Sequence, residues 1–388
     1  MPLAGSSFGT NFRITTWGES HGQALGVTID GCPAGISLNE NDIQKELDRR
    51  RPGSNPYGTK RQESDTANIL SGTFNGKTTG TPISIVVYNS DHHSSDYSNI
   101  ADKFRPGHAD YGFDSKYGFR DYRGGGRSSG RETLCRVAAG AVAKKVLSEL
   151  GITVTAYTVS VGPIDIDRNK FDLDERLNNP LFMPDSSAAA KASEYLDSLM
   201  SDGDSAGGIA ECVIKGVPAG IGEPVFDKLD AVLSMAVLSI GAVKGIEFGA
   251  GFNAARLKGS ENNDQFTADS DGHISKLSNN SGGILGGISD GSDIIFRAAF
   301  KPTPSISKKQ NTVTVKGVNT EIEIKGRHDP IIVPRAIVVL ESMSAIALLD
   351  MIMRSMPSKI ENIKITTATN ENITFSGLKI LITDSFKD

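Results

Sequence analysis

The chain has 388 residues, of which 38% are hydrophobic, 22% charged and only 6% aromatic, with 42 glycines and 16 prolines. That composition supports a large buried core and many tight turns, and it excludes a disordered or fibrous chain. A net charge of −5 argues against nucleic acid or an anionic membrane surface as partner. No apolar run reaches the roughly 18 residues of a membrane span, and the N-terminal MPLAGSSFGTNFRITTW lacks the basic-then-apolar order of a secretory signal. A cytoplasmic protein with no membrane partner is expected. Cys32, Cys135 and Cys212 are widely spaced and odd in number, which fits core thiols better than disulfides or a zinc ribbon.

In chain order, the first landmark is Gly18-Glu19-Ser20-His21-Gly22, followed by GVTID, which reads as a strand. His21 is thus placed on a tight loop between strands. Ser37 and Glu40 have capping-box spacing, and Ile43, Leu47 and Arg50 follow at helical intervals, so a helix is predicted that closes at Pro52-Gly53. Arg50 falls on its apolar face, a candidate for anion binding, whereas Arg49 and Arg51 suit the negative end of the helix dipole. From Ala67 to Tyr88 the pattern predicts two strands around Asn75-Gly76. The run Gly72-Thr73-Phe74-Asn75-Gly76-Lys77-Thr78 imitates a nucleotide-binding loop, but the glycine spacing is one residue short and a strand follows, so ATP binding there is rejected.

Between Lys103 and Arg136 eight Lys/Arg face four acids, a local basic stretch in an acidic protein that points to a small anionic ligand. Within it, Gly124-Gly125-Gly126-Arg127-Ser128-Ser129 leads into a helix with Leu134, Val137, Ala138, Ala141, Val142 and Leu147 on its apolar face and a stop at Gly151. Ser129 and Glu132 have capping-box spacing. Glycines before a helix N-terminus allow close approach of an anion to free backbone N–H groups. Further helices are predicted over Ser187–Met200 and Val225–Ile240. The stretch 259–291 is rich in Gly, Ser, Asn and Asp and reads as a flexible active-site cover, ending in GGILGG, whose glycines suit flat packing against a ligand. Lys301-Pro302-Thr303-Pro304-Ser305 forms a stiff turn carrying a cation and hydroxyls. Arg327-His328-Asp329-Pro330 precedes an apolar helix with Pro334 in its first turn and an interior acid, Glu341, that needs a partner.

His21 and His108 lie in the densest polar loops, where a histidine near neutral pH serves as a general acid. No metal is expected, because His92-His93 has no ligands at metal spacing and HExxH is absent. The Rossmann fingerprint is also missing. Taken together and in order, GESHGQALGVTIDGCPAG, FRPGHADYGF, YRGGGRSSGRETLCRVAAGAVA, GGILGGISDG, KPTPS and RHDP resemble the chorismate synthase family over essentially the whole chain.

That resemblance implies a single unit over 1–388 of α+β class, a β-α-β sandwich with a helical layer between antiparallel sheets, assembling as a homotetramer. It implies an anti-1,4-elimination of phosphate from 5-enolpyruvylshikimate 3-phosphate, requiring reduced FMN (FMNH2). By carry-over, Arg50, Ser20 and Arg131 contact substrate. Arg127, Ser128, Ser129, Ala242, Gly286, Lys301, Pro302, Thr303, Pro304, Ser305 and Arg327 hold the flavin. His21 protonates the reduced flavin, His108 assists the departing phosphate, and Asp329 helps move the ring proton through flavin N5. Pro56 and Gly241 stand where the family often carries Arg and Asn. Some members reduce their own flavin with NADPH; no added domain is seen here, so an external flavin reductase is expected. The alternatives are another FMN-dependent lyase or oxidoreductase acting on a phosphorylated acid, and a catalytically silent anion-binding protein.

Overall fold

The computed structural model describes residues 5–53, 55–59, 63–89, 101–324 and 329–367. Two five-stranded sheets frame it. The first contains β1 (Ser7–Phe8), β2 (Arg13–Gly18), β3 (Ala24–Asp30), β4 (Asn68–Ser71) and β5 (Ile83–Tyr88) in the order β1-β2-β3-β5-β4. The second contains β6 (Thr153–Val161), β7 (Ile164–Asp165), β8 (Gly208–Lys215), β9 (Val243–Phe248) and β10 (Ile294–Phe300) in the order β9-β10-β8-β6-β7. Every pairing in both is antiparallel. Alternation sets their faces: along β10, Ile294, Phe296, Ala298 and Phe300 are buried and the residues between them are not.

Among the described residues, seven helices of eight residues or more accompany the sheets: α1 (Glu40–Arg50), α2 (Asp110–Tyr117), α3 (Thr133–Glu149), α4 (Ser186–Ser201), α5 (Leu229–Leu238), α6 (Val333–Ser355) and α7 (Ile360–Thr367). Four of them, α1, α3, α5 and α6, pack on one another in the space between. Helix α3 lies on β2 and β3, α6 lies on β6 and β8, and the two helices pack on each other. The result is the expected helical layer between antiparallel sheets, with one apolar cluster running through it from Phe12 to Met351. Close crossing of α3 and α6 depends on Gly140, where a Cβ would collide with the side chain of Ser342. Ser342 and Ser344 satisfy their hydroxyls on the carbonyls of Val338 and Leu340 within their own helix. By length and apolarity α6 could cross a membrane, but its most apolar window is 89% buried, so it is a core helix.

Several local expectations hold. Asn75 and Gly76 both have positive φ, as a two-residue hairpin turn between Thr73–Phe74 and Lys77–Thr78 requires. Glu341 finds partners: Arg49 donates to it twice (2.7 and 3.0 Å), Lys144 Nζ once (2.5 Å) and the Ala156 amide once (3.0 Å).

Others need correction. The box that opens α1 is Asn39 with Asp42, not Ser37 with Glu40, because Ser37 is taken up in a bridge to Lys77. Ser129 caps a single 3-10 turn over Gly130–Glu132 instead of α3 itself, and the Glu132 side chain turns away to Arg136 and Thr16. The helix expected from Val225 begins only at Leu229.

The stretch 259–291 carries its own structure: a short helix (Gly259–Asn262), a hairpin of Phe266–Ala268 with Ile274–Lys276, and a second hairpin of Ile284–Leu285 with Ile288–Ser289. The ammonium of Lys276, buried almost completely, stitches it together by donating to Asp264, Asn279, Ser281 and Asp290.

Candidate active site

The loop Gly18–Gly22 joins β2 to β3 at one end of the first sheet, and the glycine run 124–126 lies directly against it. Gly124 and Gly125 both have positive φ (+65° and +86°), a backbone shape that glycine adopts without strain. Their missing side chains matter as much as their dihedrals. A Cβ on Gly124 would strike the His21 ring, coming within 2.7 Å of Nδ1, and would reach 2.9 Å from Ser20 Oγ. A Cβ on Gly125 would sit 3.0 Å from His108 Cε1 and 3.0 Å from Ser128 Oγ. Consecutive glycines therefore carry the two histidines of the distant motifs side by side. His21 is buried and its Nδ1 is 2.9 Å from Ser20 Oγ.

A second group of charges lies beneath this loop. Arg50, 1% exposed, donates from Nη1 to Asp65 Oδ2 (2.9 Å) and from Nε to Thr133 Oγ1 (3.1 Å). Arg131 donates from Nη1 to the other oxygen of Asp65 (2.9 Å) and from Nε to Asn89 Oδ1 (2.6 Å). Asn89 in turn donates to the carbonyl of Gly22 (2.7 Å), tying the arginines to the His21 loop. Burial, then the neighbouring guanidinium groups of Arg335 and Arg131, push the Arg50 pKa down, while Asp65 opposes them. Arg131 Nη2 is buried without a hydrogen-bond partner among the described residues, 3.5 Å from Glu63. Such a donor suits an incoming anion.

Asp329 closes the far side. It receives both hydrogen bonds from Arg335 Nη1 (3.0 and 2.8 Å) and one from the Thr59 amide (2.7 Å), while Arg335 Nε donates to the Arg50 carbonyl (3.2 Å). Arg335, Asp65 and Asn89 escaped the reading of the sequence. Only Arg335 left a trace there: a cation in the first turn of a helix opposes the dipole and needs a nearby anion.

On the other side of His108, Lys301 Nζ donates to the Gly107 carbonyl, and a Cβ on Gly107 would lie 3.2 Å from Pro304. The Lys301 amide bonds the carbonyl of Ala242, whose φ of +73° is strained for a residue with a Cβ. So Ala242, Lys301 and Pro304 come together beside the Gly107–His108 loop, with Ser128 at Gly125. Burial and the Lys244 cation push the Lys301 ammonium down, and Thr303 Oγ1 is buried without a hydrogen-bond partner among the described residues. Two cations, an orphaned hydroxyl and glycines that admit a flat ring fit a flavin phosphate and its ring system. Arg127 is turned inward instead, donating to Gly18 and Thr16 carbonyls and to Thr16 Oγ1, so it braces the His21 loop. Ser129 accepts from the Arg131 amide.

Gly286 is not brought to this group. With Gly287 (φ +62° and +87°) it makes the turn of the second hairpin, at the N-terminal end of α5. Ala242 and Lys301 lie beyond the opposite ends of α5 and β10, a separation of about 15–20 Å. Gly282 and Gly283 serve close backbone approach to Gly249 and Asp293, not a ligand. Arg327 and His92-His93 lie outside the described residues.

Fold and site together define a sheet–helix–sheet sandwich in which two histidines from distant motifs meet beside buried arginines, an arrangement suited to a multiply charged anion. Residues 12–353 match the family model for chorismate synthase. The chain is 61% identical to a chorismate synthase of Lachnoclostridium phytofermentans over 93% of its own length and 99% of that relative's. It is 55% identical to one from Methanosarcina mazei, over 91% and 97%. A crystal structure of chorismate synthase superposes with a TM-score of 0.73 at 32% identity, covering 92% of this chain and 96% of that one. The chain belongs to the chorismate synthase family, the lyases of the final step of the shikimate pathway.

Proposed function

We propose that the chain converts 5-enolpyruvylshikimate 3-phosphate to chorismate by anti-1,4-elimination, with reduced FMN bound between the Gly124–Ser129 loop and the Lys301–Ser305 turn. The observation that carries this reading is the placing of His21 and His108 against adjacent glycines, above buried arginines and beside a cationic turn. Arg50 and Arg131 orient the substrate's anionic groups, Arg131 through Nη2, which has no hydrogen-bond partner among the described residues. Ser20 holds His21 Nδ1 and steadies the ring for proton exchange. His108 offers a proton where phosphate departs, and Asp329, fixed by Arg335, accepts one from the ring. When bound, reduced flavin supplies electron density to the substrate without net oxidation. Gly286 stands on the hairpin at the other end of α5 from Lys301, and a homotetramer is the assembly that the family resemblance implies. A cytoplasmic enzyme that depends on an external flavin reductase completes the reading.

The test is an anaerobic assay with 5-enolpyruvylshikimate 3-phosphate and chemically reduced FMN. Chorismate should form with reduced and not with oxidised FMN, and absence of product under reducing conditions would refute the proposal. His21→Ala, His108→Ala and Asp329→Ala should each slow turnover about a hundredfold or more; near-normal turnover in any one removes that residue from the scheme.

A further inference from the structure

His108 is held by more than its loop. Its Nδ1 lies 2.9 Å from Asp110 Oδ1, and Asp110 is only 3% exposed. Asp110 is itself gripped from several directions. Arg105 donates from Nε to Oδ2 (2.7 Å), from Nη2 to Oδ1 (2.7 Å) and from its backbone amide to Oδ2 (3.1 Å). Arg120 Nη1 stands 3.6 Å from Oδ1, and Asp110 occupies the first turn of α2, where the helix dipole favours a negative charge. Burial pushes its carboxyl up, but the hydrogen bonds from Arg105 and then His108 hold it well below the usual carboxylate range.

An ionised carboxylate only accepts, so its contact with Nδ1 is a hydrogen bond only if Nδ1 carries the proton. There is a competitor. Arg105 Nη2 lies 3.1 Å from the same nitrogen and only donates, so it would bond Nδ1 in the opposite tautomer. The carboxylate is the closer of the two, and Nη2 already has Asp110 Oδ1 as a shorter, charge-assisted acceptor.

The far edge of the ring supplies the second observation. His108 Nε2 faces Gly125, where a Cβ would lie 3.3 Å from it. Glycine keeps that edge of the ring clear.

We propose that Asp110 is a positioning residue that keeps a proton on His108 Nδ1, so that Nε2, facing the glycine loop, is the nitrogen that exchanges protons in the reaction. The last clause rests on the role proposed above for His108; the tautomer does not. The charged groups around His108 are Asp110 at the start of α2, Arg105 from its own loop, Arg120 from the loop after α2 through its contact with Asp110, and Lys301 on the carbonyl of Gly107. Three are cations, so Asp110 is the anion that makes an imidazolium tolerable.

The experiment is long-range nitrogen–proton NMR on the cofactor-free full chain with labelled histidine, the His108 signal being assigned by its loss in His108→Gln. Neutral His108 should carry its proton on Nδ1. In Asp110→Asn the Nε2–H form should grow, and the alkaline limb of kcat, where a proton-donating His108 is lost, should shift while KM changes little. Asp110→Glu should restore the charge and much of the tautomer. An Nε2–H tautomer in the unaltered chain would overturn the proposal without any variant having to fold. So would lost turnover in Asp110→Asn with His108 unchanged, since Asp110 would then act on the fold alone. Failure of the unaltered chain to form chorismate would count against the proposed reaction, whereas the tautomer is decided on the chain without flavin.

Discussion

Two buried clusters of charge, which meet at the consecutive residues Arg49 and Arg50 in the last turn of α1, behave differently. In the helical layer, Glu341 sits between Arg49 and Lys144, with Glu46 bridging the same two cations. Each neighbour there favours the charge it meets. Burial pushes the Glu341 carboxyl up, but Lys144 and then Arg49 bring it down to about 2; for Arg49, Glu341 and Glu46 outweigh burial and raise the guanidinium. Beneath the site, Asp65 is shared by Arg50 and Arg131, Arg50 also feels Arg335, and Arg131 Nη2 has only the more distant Glu63 (3.5 Å) and no hydrogen-bond partner among the described residues, so like charges crowd. The first arrangement is complete without a ligand. The second is eased by a further anion, which is what separates a binding site from a structural ion pair.

This contrast can be broken from either side. The largest effect on folding should come from Glu341→Ala, which strands Arg49, Lys144 and the Ala156 amide in the core. It should cost about 3–5 kcal/mol in denaturant unfolding, with little change in turnover per folded molecule. Arg50→Lys keeps the charge but loses the fork, and should lower kcat/KM by about a hundredfold with a smaller loss of stability; equal losses in both would place Arg50 with the structural pair.

Acid sharpens the comparison. Glu341 has a folded pKa below its ordinary 4.5, so its contribution is full above that value and is lost as pH falls towards about 2. Stability of the unaltered chain should therefore decline through that window, and Glu341→Gln should flatten this part of the curve. The smallest effect is expected of Asn89→Ala. Severing Arg131 from Gly22 should cost about 1 kcal/mol and lower turnover roughly tenfold through a loosened His21 loop.

Much of this was legible before any coordinates. Periodicity over Ile43, Leu47 and Arg50 already placed an arginine on an inward face, and Arg50 is among the largest fully buried side chains. The demand of Glu341 for a partner followed from its place in an apolar helix. Glycine runs and positive-φ turns were also readable, because they reflect local backbone limits. Caps were less secure: Ser37 and Asn39 are both competent, and only the bridge from Ser37 to Lys77 decides between them.

What the chain's order of residues determined by itself was the inventory: two histidines in polar loops, a basic stretch in an acidic protein, glycines before a helix, and a family pattern from end to end. What only the tertiary structure decided was adjacency. Gly124 and Gly125 seat histidines from motifs about ninety residues apart. Asp65, Asn89 and Arg335 connect elements that no spacing relates, and Gly286 is held away from the turn that carries Lys301. The reason is physical. Local propensities act within a turn or two, whereas a charge buried between a sheet and a helix is paired by whichever distant segment the packing of the core delivers to it.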